Sequence, residues 1–275
     1  MPMELAYRPS SHGRDSIEPQ TADRANVPRA DQSARSTHAV VHAVAPEFVA
    51  RPLTRHYPAS VAAPRAGELQ VWRFRCEWLP VPVQEGETWL SKVERERARL
   101  HPNSPLRKRF ISARVVTRWI VGNLFDCEPQ AVDLQDDGNE KLRARHPHDG
   151  RGITIDIAYA GIWIVIGLAS ATLGLSVVVP SPGATPDDTP EGSRRRARYG
   201  SLCNALRYAP VDIDLDLLSS DTAVGAFDLA EHGRWHVLDL PMSGKICAAV
   251  ALAQPVTHVQ AIGWPKAMVF GEPGN

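Results

Sequence analysis

The sequence predicts an α+β fold built as two similar halves. Three observations carry the prediction. Strands and helices segregate in the order strand, helices, strands, and a shorter version of that order follows after about residue 170. A long amphipathic helix over 105–125 lies inside the first half. The runs 153–157, 163–169 and 173–179 are rich in β-branched residues, as strands are.

The elements follow in chain order. Residues 1–67 are dominated by Pro, Ser, Ala, Arg and His and keep no apolar period, which reads as a disordered tail. Within it, Ala39 to Val49 is the one stretch able to dock. Leu69-Gln70-Val71-Trp72-Arg73-Phe74 alternates apolar and polar residues and opens the ordered body as a strand. Ser91 stands three residues before Glu94, a capping box that starts a helix. Pro102 and Pro105 break it. Along 105–125, Phe110, Ala113, Thr117, Ile120 and Leu124 share one helical face. Strand-like residues begin at Val132 to Leu134, and the three β-branched runs follow. Pro180 to Glu191 reads as a loop, 192–208 as a helix, and 211–217, 235–238 and 246–252 as late strands. The halves are expected at 68–170 and 171–275.

Composition bounds the function. Hydrophobic residues make up 43% of the 275, enough for a core, and charged residues make up 23%. Lys plus Arg and Asp plus Glu number 31 each, a balance that argues against a nucleic-acid binder. The longest apolar run, 162–179, is interrupted by Gly167, Ser170, Thr172, Gly174 and Ser176, so no membrane span is expected. No basic start precedes an apolar stretch and a cleavage site, so no secretory leader is expected either. Cys76, Cys127, Cys203 and Cys247 lie far apart without a CxxC pair, which predicts reduced thiols and a cytoplasmic protein. A monomer is expected.

Four stretches carry a family likeness. Leu90-Ser91, Glu94 and Arg97 precede Arg109-Phe110-Ile111-Ser112-Ala113-Arg114. Cys127-Glu128-Pro129 leads to Asp136-Asp137-Gly138, and Ile155-Asp156-Ile157-Ala158-Tyr159-Ala160-Gly161 follows. Trp235-His236-Val237-Leu238-Asp239-Leu240-Pro241 comes last, with Ala248-Ala249-Val250-Ala251. In order and spacing, from about residue 69 to residue 260, they resemble the 4′-phosphopantetheinyl transferases of the surfactin-synthetase-activating type. The resemblance implies two α+β halves about a pseudo-twofold axis. It implies Mg²⁺, coenzyme A and transfer of a phosphopantetheine arm onto a carrier-protein serine. That reaction needs carboxylates for the hard cation, basic groups for the phosphates and a base for the attacking hydroxyl.

The matching positions depart from the family. Its Gly-x-Asp-x-Glu metal strand corresponds to Gly174-Leu175-Ser176-Val177-Val178, with Ser176 and Val178 in place of the acids. In its WxxKEAxxK helix, Tyr199 and Asn204 replace the lysines and Gly200 replaces the glutamate. Ala158-Tyr159 replace the coenzyme-binding Ser-His, and Asn139 replaces a lysine, with Lys141 two residues on. Asp187, Asp188 and Glu191 are the nearby acids left to substitute at a metal. Neither metal nor coenzyme is therefore expected to be used in the family's manner. If coenzyme phosphates do bind, the resemblance points to Arg109, Arg114 and Lys141.

Three functional readings remain open. Residues 91–118 hold Lys92, Arg95, Arg97, Arg99, Arg107, Lys108, Arg109, Arg114 and Arg118 against Glu94 and Glu96, and Arg194, Arg195, Arg196 and Arg198 form a second cluster. They form either a solvated face with Arg stems over the core or a dock for an acidic partner. The resemblance makes that partner an acyl or peptidyl carrier protein. Alternatively, Asp156, Tyr159 and His146 supply acid–base groups, for example to dehydrate a carrier-bound 3-hydroxyacyl chain. Against that, Asp156 can simply satisfy backbone donors while Tyr159 fills space. The third reading is a working transferase with unorthodox metal ligands.

Overall fold

The computed structural model describes residues 38–42, 44–136, 142–180, 189–207, 213, 215–219, 222–229 and 231–265. The first described strands are β1 (His38–His42) and β2 (Glu47–Arg51), then β3 (Glu68–Arg75). Helices α1 (Val83–Thr88), α2 (Lys92–Leu100) and α3 (Ser104–Phe125) precede β4 (Leu134–Asp136), β5 (Leu142–Arg145), β6 (Gly152–Ala160) and β7 (Trp163–Ala169). The second half holds β8 (Leu173–Val178), α4 (Pro190–Ala205), β9 (Val224–Leu229), β10 (Gly233–Leu240), β11 (Cys247–Leu252) and β12 (His258–Ile262).

The strands form two sheets. One runs β2-β12-β3-β7-β6-β5-β4, and the other runs β1-β9-β10-β11-β8. The path β3-β7-β6-β5 and the path β8-β11-β10-β9 are the same connectivity, each antiparallel throughout, and a helix follows the first strand of each. The fold is thus α+β, with strand–helix–strand order repeated on either side of the turn at 170–172.

Side-chain alternation divides the core into three apolar layers. Ile155, Ile157 and Ile166 face α3, where Trp72, Val116 and Ile120 complete a first cluster. Ala158, Val165, Leu173, Leu175 and Val250 lie between the two sheets. Ala249, Ala251, Val237 and Trp235 face α4 through Ala197 and Leu202. The layers stack as helix, sheet, sheet, helix. A strand covered on both faces has no polar face to show, which is why Ile164-Val165-Ile166-Gly167-Leu168 reads as a continuous apolar run.

Two expectations change. The sequence predicts a tail up to residue 67, yet β1 pairs antiparallel with β9 and β2 pairs parallel with β12, so the folded body starts earlier. Both strands fall in or beside the Ala39–Val49 stretch, whose main chain is taken up by sheet edges. The strand expected over 211–217 does not form at its described end, because Leu215–Ser219 is a 3₁₀ turn. Its alternation is met another way: Ile213 and Leu218 insert into the cluster under α4.

Candidate functional site

The site residues named from the motifs sit on β6, β8, α3 and α4. Asp156 and Tyr159 point to opposite faces of β6. Asp156 is buried in the layer between the sheets. Its Oδ2 accepts the Leu175 N–H at 2.6 Å and its Oδ1 accepts the Ile157 N–H at 3.0 Å. Leu175 lies on β8, which is an edge strand, so its main-chain groups point away from β11 and need other partners. Asp156 takes the N–H, and Asn204 Nδ2 of α4 donates to the Leu175 carbonyl at 2.6 Å. Together they clasp the edge of β8 to β6 and to α4.

Tyr159 lies on the other face, half-buried, with the Arg109 guanidinium 4.7 Å from its ring centroid. Arg109 Nη1 also donates to the Gly161 carbonyl at 3.3 Å. His146 lies in the β5–β6 turn, its ring 5.1 Å from Phe125 and 5.8 Å from His148. Its Nδ1 lies 3.2 Å from Asp149. Arg109 and Phe125 mark opposite ends of α3, about 24 Å apart at about 1.5 Å per residue. Asp156, Tyr159 and His146 are therefore not brought together, which is the correction to the acid–base constellation. A cleft of about 260 Å³ beside His146 is lined by Phe125, Cys127, Val132 and Arg145 and does not include the other two.

The basic segment divides by burial. Arg118 is buried and donates to Glu94 and to the carbonyls of Pro129 and Val132, tying α2 and α3 to the following turn. Arg114 is 1% exposed, packs 5.1 Å from the Phe110 ring and pairs with Asp136 at 2.8 Å. Arg97 pairs with the same carboxylate oxygen. Its neighbours thus cover Arg114, whereas Arg109 is half-exposed beneath Gly161. Lys141 lies outside the described residues. Lys92, Arg95, Arg99, Arg107 and Lys108 remain exposed. In the second cluster Arg198 is buried, donating to Asp239 and to the carbonyls of Leu218 and Thr222.

No family model matches the chain, and no curated protein matches it.

Ser176 and Gly200, two positions singled out by the resemblance, lie close together in the fold. Ser176 of β8 faces Gly200 of α4: a Cβ on Gly200 would lie 2.5 Å from Ser176 Oγ and 3.1 Å from its Cβ. Val178, the next position along, packs into the apolar cluster under α4. Gly174 is in closer contact still, for a Cβ there would lie 2.1 Å from the Ala205 nitrogen and 2.3 Å from the Ser201 oxygen. Here α4 rests on the β8 backbone, with no room for a side chain at Gly174. These residues do not fit a magnesium ion, which needs several oxygen ligands at about 2.1 Å in an octahedron. Nor does Ala158 offer a coenzyme a hydrogen bond, since it is buried between the sheets. Of the remaining acids, Glu191 is exposed in the first turn of α4, and Asp187 and Asp188 lie outside the described residues. Among the described residues, no group of three or more His, Cys, Asp or Glu side chains is placed to hold a metal.

Burial pushes all four thiols, Cys76, Cys127, Cys203 and Cys247, above the usual cysteine value, so none is activated as a thiolate. No helix among the described residues is long and apolar enough to cross a membrane. Sequence reasoning missed the Asn204 half of the clasp, whose partner lies 29 residues away. It also missed the exposure of Val93 and Leu100, for which a seven-residue spacing was the available signal.

Proposed function

We propose that this chain is a phosphopantetheinyl-transferase-like protein that docks an acyl or peptidyl carrier protein and no longer performs Mg-dependent phosphopantetheine transfer. Its place would be polyketide, fatty-acid or nonribosomal-peptide biosynthesis. The observation that carries the reading is the Ser176–Gly200 contact. Two positions matched by motif alone, 24 residues apart, lie against each other in the fold, as the two sides of one cradle would. That supports the alignment. The loss of both acids there, with α4 close against β8, supports a cradle given up rather than remade. The repeated connectivity of the two halves supports a pseudo-twofold relation between them.

The docking reading is preferred to reassigned acid–base chemistry. Asp156 already serves two backbone donors, and Tyr159 and His146 stand at opposite ends of α3. The test mixes the protein with apo carrier proteins, coenzyme A and Mg²⁺ and follows intact mass. No phosphopantetheine adduct is expected, while calorimetry with the holo carrier proteins should give saturable binding. An adduct that forms at a rate proportional to the amount of this protein would refute the reading.

A further inference from the structure

We propose that the outer face of α2 is a docking surface for an acidic amphipathic helix. Helix α2 is held from one side only. Its capping box joins Ser91 and Glu94, and Glu94 with Ala98 points inward, Glu94 onto the buried Arg118. At about 100° per residue, the outward residues fall into two adjoining stripes. Arg95, Arg99 and Lys92 form a basic one, and Leu100 and Val93 an apolar one, with Glu96 on the border. Leu100 is 81% exposed and Val93 63%. Arg107 and Lys108, exposed in the first turns of α3, add charge. Among the described residues, no carboxylate lies within ion-pair distance of Lys92, Arg99 or Arg107, and Lys108 feels the nearby Glu77.

Charge complementarity selects the occupant. A basic stripe attracts acidic groups and steers their approach, and an apolar stripe beside it rewards a partner that presents Leu, Ile or Val next to its acids. An amphipathic helix with one acidic edge does both. Nucleic acid has no use for the apolar stripe, and the face carries no aromatic platform for bases. A short helix held by its own buried side, with two apolar residues to insert, is a poor membrane anchor. Because its cap and its Arg118 tie already order α2, docking there costs little further ordering. For the identity of the natural partner the inference rests on the carrier-protein reading; for the surface it does not.

The test uses the full chain and three probes: a stapled synthetic helix with a glutamate stripe beside a leucine stripe, a holo acyl carrier protein, and vesicles of phosphatidylserine with phosphatidylcholine. The variants are Arg95→Glu/Arg99→Glu and, separately, Leu100→Asp. Arg143→Glu/Arg145→Glu, on exposed positions of β5, is the control. Circular dichroism checks that each folds. The synthetic helix should bind the wild type, weaken with salt, and weaken at least about tenfold in each α2 variant but not in the control. If the carrier protein shows the same losses, surface and partner both stand. If only the synthetic helix does and no carrier protein binds, the carrier reading falls and the surface stands. If the synthetic helix and the carrier protein both bind wild type and α2 variants alike, the surface is wrong while the carrier reading survives. Failure of the wild type to bind the synthetic helix, or α2-dependent binding to vesicles alone, overturns the proposal.

Discussion

Replacing Asp156 by alanine should loosen the two sheets from each other. The substitution removes the acceptor of the Leu175 N–H, which is the stronger bond at 2.6 Å, and of the Ile157 N–H. Both donors lose their carboxylate acceptor in a buried layer. A buried hydrogen bond to a carboxylate is worth roughly 1.5–3 kcal/mol and an ordinary one about 1, so the loss should be about 3 kcal/mol. For a chain of this size that lowers Tm by roughly 6–12 °C. Asp156→Asn keeps one acceptor oxygen and should cost about half as much. Denaturant titration and thermal melting measure the cost, and hydrogen exchange at the Leu175 amide locates it. Asn204→Ala, which strips the carbonyl side of the same residue, should cost about 1 kcal/mol. A stability within about 0.5 kcal/mol of wild type in Asp156→Ala, with unchanged Leu175 protection, would show that the clasp does not hold the sheets. The same variants separate structure from chemistry. A general base would lose activity in Asp156→Asn while keeping its stability, the reverse of what the clasp predicts.

Gly200→Ala should destabilise by about 1–3 kcal/mol, because its Cβ meets Ser176; Gly200→Ala combined with Ser176→Gly should regain much of that loss in a denaturation series, since the clash is with that side chain alone. His236 sets a pH dependence. Burial first, then Arg234, lowers its pKa below the ordinary 6.5, with Asp228 opposing. The folded state thus disfavours the charged ring: this contribution to stability is present above the unfolded value and is lost as pH falls from there through the folded one. Subtracting the melting profile of His236→Gln from that of the wild type should leave a wild-type stability that declines as pH drops from about 7 towards 5.

Local signals made much of the fold legible. The Ser91–Glu94 box and the Pro105 start placed α2 and α3, and β-branched runs placed β6, β7 and β8. Strands with weak local character were missed. Val224–Leu229 contains Gly225-Ala226, and His258–Ile262 is short and mixed, so tertiary pairing rather than propensity makes them strands. At the site, Ser176 and Gly200 lie against each other across 24 residues of chain, and nothing local in either stretch says that they do. An aspartate between two isoleucines on a strand gives no hint of whether it meets substrate or a backbone N–H. Similarly, nine basic residues in one segment look like a single face until Arg114 and Arg118 are seen to turn inward.

The placement of β12 sets a timetable for synthesis. It lies between β2 and β3, which leave the ribosome long before it does; its His258 meets Glu47 across 211 residues of chain. Until then β3 has an open edge, and β2 has no strand to lie against. A nascent chain in this state offers any extended peptide a place to pair, and closing so long a loop is slow compared with forming the β5–β6 and β6–β7 hairpins. The emerging protein therefore has most need of a chaperone in the interval before β12 is made. Truncation just ahead of residue 258 should yield a chain that aggregates through β3 rather than one that merely lacks its end.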